Sequence, residues 1–475
     1  MSSLHPGCDA VAAQCAEASL SSPHPNLVLI TTILASALAF VDGSVVNVAL
    51  PTLAQKFSAD AGALQWVINS YLLPLSALLL LGGAAGDHFG RRRLLILGTS
   101  VFALASLGCA LAPRLPVLFA SRLLQGVGAA MLMPNSLAIL GQTFSGASKG
   151  RAVGIWAASG AAMGAIGPVI GGWLIDLGSW RAIFLLNLPL ACGAIMLAWR
   201  AVPRDVRGET YPLDATGGIL ATIGLAALTW ALTVGSSRDG WTPAALSAAG
   251  IAVLLLFTFL RVEAARGARA MMPLHLFASK SLVGLTIFTF LLYGAMGGLF
   301  VLLPYILIKA AGFSATAAGA ALLPLPLILT VTSPLTGALV GRVGTRLPLT
   351  IGPLIVAAGF LLALRMDSNS SYWTHVLPMI VVIAVGMSAA VAPLTAAVLI
   401  SVDPAHTGSA SGLNSAVART GGLVATALLG SVLAAEGTLL LPAYHIAMGV
   451  GAFLCAAASL SALTLLDRNR PVRSN

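Results

Sequence analysis

Charge is what this 475-residue chain has least of: 8% of its residues are Asp, Glu, Lys or Arg, against roughly 25% in an average soluble domain. So few charged groups could not cover a water-soluble fold of this length, and a chain that is 58% hydrophobic would collapse in water rather than stay disordered. The bilayer is the solvent that suits the composition. Cysteine is also scarce: Cys109, Cys192 and Cys455 lie within apolar runs, Cys8 and Cys15 near the N-terminus, with no disulfide framework and no metal-ligand spacing. Also missing are His-Glu-x-x-His, Gly-x-Ser-x-Gly and any clustered His/Cys set, which argues against an enzyme. No Gly-x-x-x-x-Gly-Lys-Ser/Thr loop is present to bind ATP, and nothing calls for a cofactor or metal. Residues 1–26 hold no Lys or Arg and no apolar core, so they are not a secretory signal and are expected to form a disordered cytoplasmic tail.

What the sequence does contain is a succession of apolar runs. About 20 residues suffice to cross a bilayer as a helix, and breaks at polar, Pro and Gly clusters predict spans near 27–50, 64–85, 94–112, 116–141, 152–177, 181–201, 214–234, 243–262, 281–309, 315–340, 348–366, 374–402, 409–435 and 443–466. The fold class expected is an all-α integral membrane protein with fourteen transmembrane helices. The net charge of +10 sits in the short breaks between spans, where it reads as a topology signal and not as a nucleic-acid footprint. Seventeen of the 25 Lys and Arg fall in even-numbered connections or the C-terminal tail, six fall in odd connections, and Arg122 and Arg419 fall inside spans. By the positive-inside rule both termini are cytoplasmic, in a multi-pass protein of the cell (inner) membrane.

A repeat runs through the chain. Gly83-Ala84-Ala85-Gly86-Asp87-His88-Phe89-Gly90-Arg91-Arg92 after span 2 resembles Gly337-Ala338-Leu339-Val340-Gly341-Arg342-Val343-Gly344-Thr345-Arg346 after span 10, with glycines and the last arginine at the same offsets. If spans 2 and 10 correspond, spans 1–6 pair with 9–14 and spans 7 and 8 are an inserted hairpin, as in a transporter of two parallel halves. The expected organisation is a tail (1–26), a six-helix bundle (27–201), a linker carrying spans 7 and 8 (202–272), a second six-helix bundle (273–466) and a cytoplasmic tail (467–475).

Ionisable groups inside spans mark function by default, because each is expensive to bury. Asp42, in the run Ala39 to Pro51, is the clearest acid at such depth. A carboxylate that is costly to keep ionised suits a group that loads and unloads protons; the alternative is a structural pair with a neighbouring helix. Arg122, followed by Gln125 in span 4, is a candidate electrostatic partner for it, or a structural arginine bonded to carbonyls. Gly160, Gly164, Gly167 and Gly171 share one face of span 5, where another helix can approach closely, and Pro168 permits a bend. Asp87 and Arg91, four apart between Gly83 and Gly90, can latch a turn or merely fix topology. Arg419 in span 13, near Ser411 and Asn414, has no acid close in sequence and reads as structural first.

In combination these segments resemble the fourteen-span drug–proton antiporters of the major facilitator superfamily. The resemblance rests on Asp42 to Pro51, the Gly83 to Arg92 turn, Arg122 to Ala130, the Gly160 to Gly172 antiporter motif and Trp180 to Pro189, with weaker support from Gly408 to Gly422. His88 stands where that turn usually has Arg, and Gly86 where it usually has Ala. The resemblance implies a proton-coupled antiporter exporting hydrophobic or cationic small molecules, drugs or antibiotics, by alternating access. Asp42 and Arg122 would then couple protons, Gly83, Asp87, Gly90 and Arg91 would latch one conformation, and the span 5 glycines with Pro168 would form the antiporter motif. Its partners would be a hydrophobic substrate, protons and the bilayer, with no nucleic acid, and the protein would act as a monomer. Candidate cavity residues are Tyr71, Gln125, Tyr293, Phe300, Tyr305, Asn414 and Arg419. The competing expectation is a transporter of the same fold for a single metabolite, by export or proton symport, since fold does not set substrate. A channel fits less well, because one buried carboxylate and glycine-packed seams suit alternating access better than a lined pore.

Overall fold

The computed structural model describes residues 24–203, 214–237, 240–267, 270, 272, 274–402 and 407–466, so the C-terminal tail and nearly all of the N-terminal one lie outside the described residues. Within them the regular elements are all helical. Thirteen helices are long and apolar enough to cross a membrane. In the numbering of the expected spans they are span 1 Pro25–Phe57, span 2 Ala61–Phe89, span 3 Arg91–Leu111, span 4 Leu115–Thr143, span 5 Gly146–Asp176, span 6 Ala182–Leu185 with Asn187–Ala201, span 7 Ala215–Gly235 and span 8 Pro243–Arg266. Then follow span 9 Lys280–Lys309, span 10 Ala315–Ala320 with Pro324–Val343, span 11 Arg346–Leu362, span 12 Leu377–Ile400 behind the π turn Tyr372–Val376, and span 14 Leu440–Leu465. The helix expected as span 13, Thr407–Ala427, has 21 residues, so length alone would let it cross. Rich in Gly, Ser and Thr and carrying Arg419, it is not among the thirteen.

Local chemistry explains most boundaries. Asp60, Asp214, Thr242, Ser279 and Ser314 each accept a hydrogen bond from the backbone N–H three residues on, capping the helix that follows. Spans 2 and 3 are joined by Gly90 alone, at φ 104°, and Gly344, at φ 75°, takes the matching place before span 11. Only glycine adopts such a conformation without strain. Three spans depart from the expected continuous or shorter runs. Span 1 continues through Pro51 to Phe57, since one missing N–H costs less in an apolar setting than the backbone groups that a broken helix would expose. Span 6 kinks at Leu186, because the ring of Pro189 crowds the carbonyl four residues before it. Span 10 breaks after Ala320, whose carbonyl would need the N–H that Pro324 lacks.

The packing repeats at an offset of eight spans. Span 1 lies against spans 5 and 6, and span 9 against spans 13 and 14; spans 2, 3 and 4 pack on one another as do spans 10, 11 and 12. Individual contacts repeat too. Gly98 and Gly128 bring spans 3 and 4 to backbone contact, and Gly352 and Gly386 do the same for spans 11 and 12. Arg92 donates to the Trp199 carbonyl at the end of span 6 (2.6 Å), and Arg346 donates to the Leu463 carbonyl at the end of span 14. Each guanidinium thus meets orphaned carbonyls at a helix C-terminus.

Two seams join the repeated sets, span 2 on span 13 and span 5 on span 10. Span 7 rests on spans 2 and 13 beside the first seam, with Gly218 against Leu81 and Ser236 bonded to the Ala427 carbonyl, while span 8 packs on span 7.

Candidate functional site: a buried carboxylate–arginine cluster

Asp42 sits in the middle of span 1 with no exposed surface, and Arg122, only 1% exposed, reaches it from span 4 to form a buried ion pair. The guanidinium is held on its other edges: Nε donates to the Val67 carbonyl of span 2 (3.1 Å) and Nη1 to Gln125 Oε1 (3.0 Å). Its face lies 4.4 Å from the centre of the Tyr71 ring, an arrangement worth more where water is excluded. The second carboxylate oxygen, Oδ1, accepts from Gln125 Nε2 and from Asn187 Nδ2 of span 6, both at 3.1 Å. Ser106 of span 3 accepts from the same two amides, at 2.8 and 3.2 Å, and Cys109 donates to Gln125 Oε1. Five spans therefore supply the cluster, and the groups bonded to the carboxylate itself, Arg122, Gln125 and Asn187, are all donors. The arrangement satisfies a pair whose members would each be strongly destabilising alone.

The turn after span 2 is an ion-paired corner. Arg91 Nη2 lies 2.7 Å from Asp87 Oδ1, and Nη1 donates to the Ala138 carbonyl of span 4 (3.1 Å), tying the turn to that helix. Asn135 of span 4 donates to the Gly82 carbonyl at 3.0 Å. A Cβ on Gly86 would fall 1.6 Å from Asn135 Oδ1, so the glycine makes room for the asparagine. Gly83 merely touches Pro134, and Gly90 supplies the positive φ of the corner.

On span 5 the expected packed face is real at three glycines and absent at the fourth. Cβ atoms at Gly160, Gly167 and Gly171 would meet the Phe40 ring, Ser44 Oγ and Val45 Cγ2 of span 1 at 2.6, 2.4 and 2.0 Å, whereas one at Gly164 would meet nothing within 4 Å. The helical period puts all four glycines on one face, so it is the facing helix that leaves space opposite Gly164. Further along, Gly172 lies against the Ala315 carbonyl, and Gly319 of span 10 lies against the carbonyl of Pro168. Asp176 closes this end of the seam by accepting from the N–H groups of Ala315 (3.2 Å) and Thr316 (2.9 Å) and from the Thr316 hydroxyl (2.5 Å). At the same end of the other seam, Gln65 donates to the carbonyls of Thr426 and Ala427, at 3.0 and 2.9 Å.

The remaining candidates scatter. Tyr71 and Gln125 belong to the Asp42 cluster and are fully buried. Tyr293 and Phe300 of span 9 are partly buried against the larger apolar core. Tyr305 donates to the Leu433 carbonyl and lines a cavity of about 1020 Å³ at the end of the molecule where spans 1 and 2 connect, with Asp60, Trp66, Lys309 and Glu436. Asn414 accepts from Thr289 (2.6 Å), linking spans 13 and 9. Arg419 points from span 13 to span 4, where its Nη2 meets Met133 Sδ at 3.0 Å.

The family model of the Major Facilitator Superfamily matches residues 32–426 and again 285–475 of this chain. The chain belongs to the major facilitator superfamily. Within it, the Multidrug resistance protein Stp of Mycobacterium tuberculosis (strain CDC 1551 / Oshkosh) is 34% identical over 418 residues, covering 86% of this chain and 76% of that protein. The Methylenomycin A resistance protein of Bacillus subtilis (strain 168) is 31% identical over 447 residues, covering 93% and 95%. In fold the chain is similar to the inward open xylose transporter XylE of E. coli, with a TM-score of 0.63 at 15% identity over 94% of this chain and 97% of that one. This superfamily member is accordingly a multi-pass membrane transporter and not an enzyme.

Three functional candidates escape a reading of the superfamily motifs in one dimension. Ser106 and Asn187 complete the Asp42 cluster, and Asn135 fills the notch at Gly86. Asn187 lies inside the Trp180 to Pro189 segment, so a polar residue in that apolar run was its only visible signal. Ser106 has none, since serine is an ordinary resident of membrane helices.

Proposed function

We propose that this superfamily member is a proton-coupled antiporter that exports hydrophobic small molecules, antibiotics among them, across the cytoplasmic membrane. The observation that carries the reading is the enclosed Asp42–Arg122 pair. Asp42 has one full counter-charge, and a proton is the only other cation that fits a site with no exposed surface. Protonation of Asp42 cancels its attraction for Arg122, which keeps the Val67 and Gln125 acceptors and is free to shift towards them. A change in helix packing around spans 1, 2, 4 and 6 would follow; span 2 is itself a partner in one seam, and span 1 packs on span 5, a partner in the other. Alternation would then proceed by rocking of the bundles 27–201 and 273–466, with spans 7 and 8 at their periphery, Thr407–Ala427 as a fourteenth crossing, and the single chain as the working unit. The even-numbered connections, which hold most of the basic residues, would face the cytoplasm with both termini. Asp87 and Arg91 would latch that side, and Asp176 and Gln65 the opposite one. The resistance proteins among its relatives support export and an antibiotic-like cargo. Cationic cargo draws no support from Asp42, whose oxygens are already filled by Arg122, Gln125 and Asn187.

The decisive experiment is efflux in proteoliposomes driven by an imposed pH gradient, with Asp42→Asn compared to wild type. The asparagine keeps a carbonyl acceptor for Arg122 and loses the titrating group, so uphill efflux should vanish while gradient-free exchange of substrate persists. Wild-type uphill efflux by Asp42→Asn would refute proton coupling at this residue.

A further inference from the structure

Arg122 and Arg419 lie in the interior of their helices, away from the charged connections, and they are treated differently. Arg122 has a carboxylate, a carbonyl and an amide oxygen. Arg419 has a thioether: among the described residues its one hydrogen-bond partner is the Met133 sulfur, a weak acceptor. Among the described residues no Asp or Glu stands within ion-pair distance of it. The titratable side chains that face it are those of Tyr71 and Tyr293, hydroxyls and not carboxylates. A guanidinium carries five N–H donors in a rigid fork and cannot shed its charge. Left in an apolar interior with one soft acceptor, such a group is expensive, and intramembrane charges of this kind face a bundle interior or a water-filled cavity.

Its surroundings exclude the lipid face. Met133 of span 4 is 6% exposed and Tyr71 of span 2 is 1% exposed, while Tyr293 belongs to span 9. Arg419 on span 13 therefore stands where the two repeated sets of helices meet, with neighbours from both. One turn before it Ala416 packs into the apolar cluster of the first set. One turn after it Gly422 has open space where its Cβ would be. Open space at Gly422, an unmatched positive charge and a thioether group thus coincide where the two sets meet.

We propose that Arg419 anchors the transported molecule by an anionic group, so that the preferred cargo is an amphipathic compound with one carboxylate or similarly acidic oxygen and an apolar body. The inference rests on the exporter reading, and it deepens it by assigning the cargo a charge. A carboxylate accepts two parallel hydrogen bonds from the guanidinium fork, and the aromatic rings and Met133 suit the apolar part. Tyr71 stacks on Arg122 and belongs to span 2, the helix of the first set on which span 13 packs, which brings cargo at Arg419 towards the Asp42 pair.

The test uses three molecules of one scaffold, 1-pyrenebutyrate, its methyl ester and 1-pyrenebutylamine, titrated into the purified full chain in nanodiscs, with empty nanodiscs subtracted. The acid should bind wild type about tenfold more tightly than the ester or the amine, the scale of a charge-assisted bidentate contact. In Arg419→Gln that preference should fall to about twofold or less, and in Arg419→Lys, which keeps the charge without the fork, it should be intermediate. Equal binding of the three by wild type, or a preserved preference in Arg419→Gln, overturns the proposal. Should Arg419→Gln fail to assemble, Arg419→Lys decides, because loss of all preference for the acid over the amine in a variant that retains the charge also overturns it. Efflux of the same compounds from proteoliposomes separates the two readings: export of ester or amine without preference for the acid removes the anchor and leaves the exporter, whereas failure to move any of the three removes both.

Discussion

Arg122 and Asp42 neutralise each other in a place where neither could stand alone, and this asymmetry between keeping a pair and keeping half of it is measurable. Arg122→Gln leaves a carboxylate with no counter-charge among fully buried neighbours, and it should cost about 3–5 kcal/mol of stability. The double variant Asp42→Asn with Arg122→Gln removes both charges and should recover a large part of that loss. Chemical unfolding in detergent reads both values; a double variant as unstable as Arg122→Gln alone would mean that shape and not charge holds the cluster. At the span 2 corner the same scale of reasoning applies to sterics. Gly86→Ala should destabilise the turn because its methyl would overlap Asn135, and Asn135→Ala placed beside it should relieve the overlap at the expense of the bond to Gly82. Unfolding temperatures of the two variants would show the rescue or its absence.

Span 5 shows how a helix face is narrower than its sequence pattern. Four glycines at spacings of 3 and 4 look equivalent along the chain, yet three touch span 1 and Gly164 faces open space. Gly171→Ala should therefore impair assembly or transport, since its methyl would lie about as close to Val45 as a covalent neighbour does, while Gly164→Ala should behave as wild type. Adding Val45→Ala to Gly171→Ala should restore what the first change removed, because the β-branched valine cannot swing away. Expression level and efflux rate of the three variants are enough to decide, and a damaging Gly164→Ala would return span 5 to a uniformly packed face. Span 10 carries the complementary lesson: its break after Ala320 follows from Pro324 and is legible in the sequence, once the lost carbonyl partner is counted.

For the molecule as a whole, the two seams are closed at the end where spans 1 and 2 connect. Asp176 holds span 10 there, and Gln65 holds span 13. If these contacts maintain that closure, Asp176→Ala should favour the state open at this end. A cysteine at Ala318, buried on the short helix Ala315–Ala320 that packs on span 5, in a chain whose five native cysteines are replaced, should then react with a membrane-impermeant maleimide faster by about fivefold or more, as expected from losing hydrogen bonds to a charged group worth about 1.5–3 kcal/mol. Unchanged labelling would show that the seam is held by its glycine contacts alone. By itself the sequence determined the solvent, the all-helical class, the superfamily and the two intramembrane charges on spans 1 and 4, because hydropathy, helix breakers and the expense of burying charge are all properties of a residue and its near neighbours. Only the tertiary structure decided that Asn187 and Ser106 join Asp42, that Gly164 is free, and that Arg419 has sulfur where Arg122 has a carboxylate. Each of those facts depends on which helices meet and at what rotation, and that is set by packing among spans far apart in the chain.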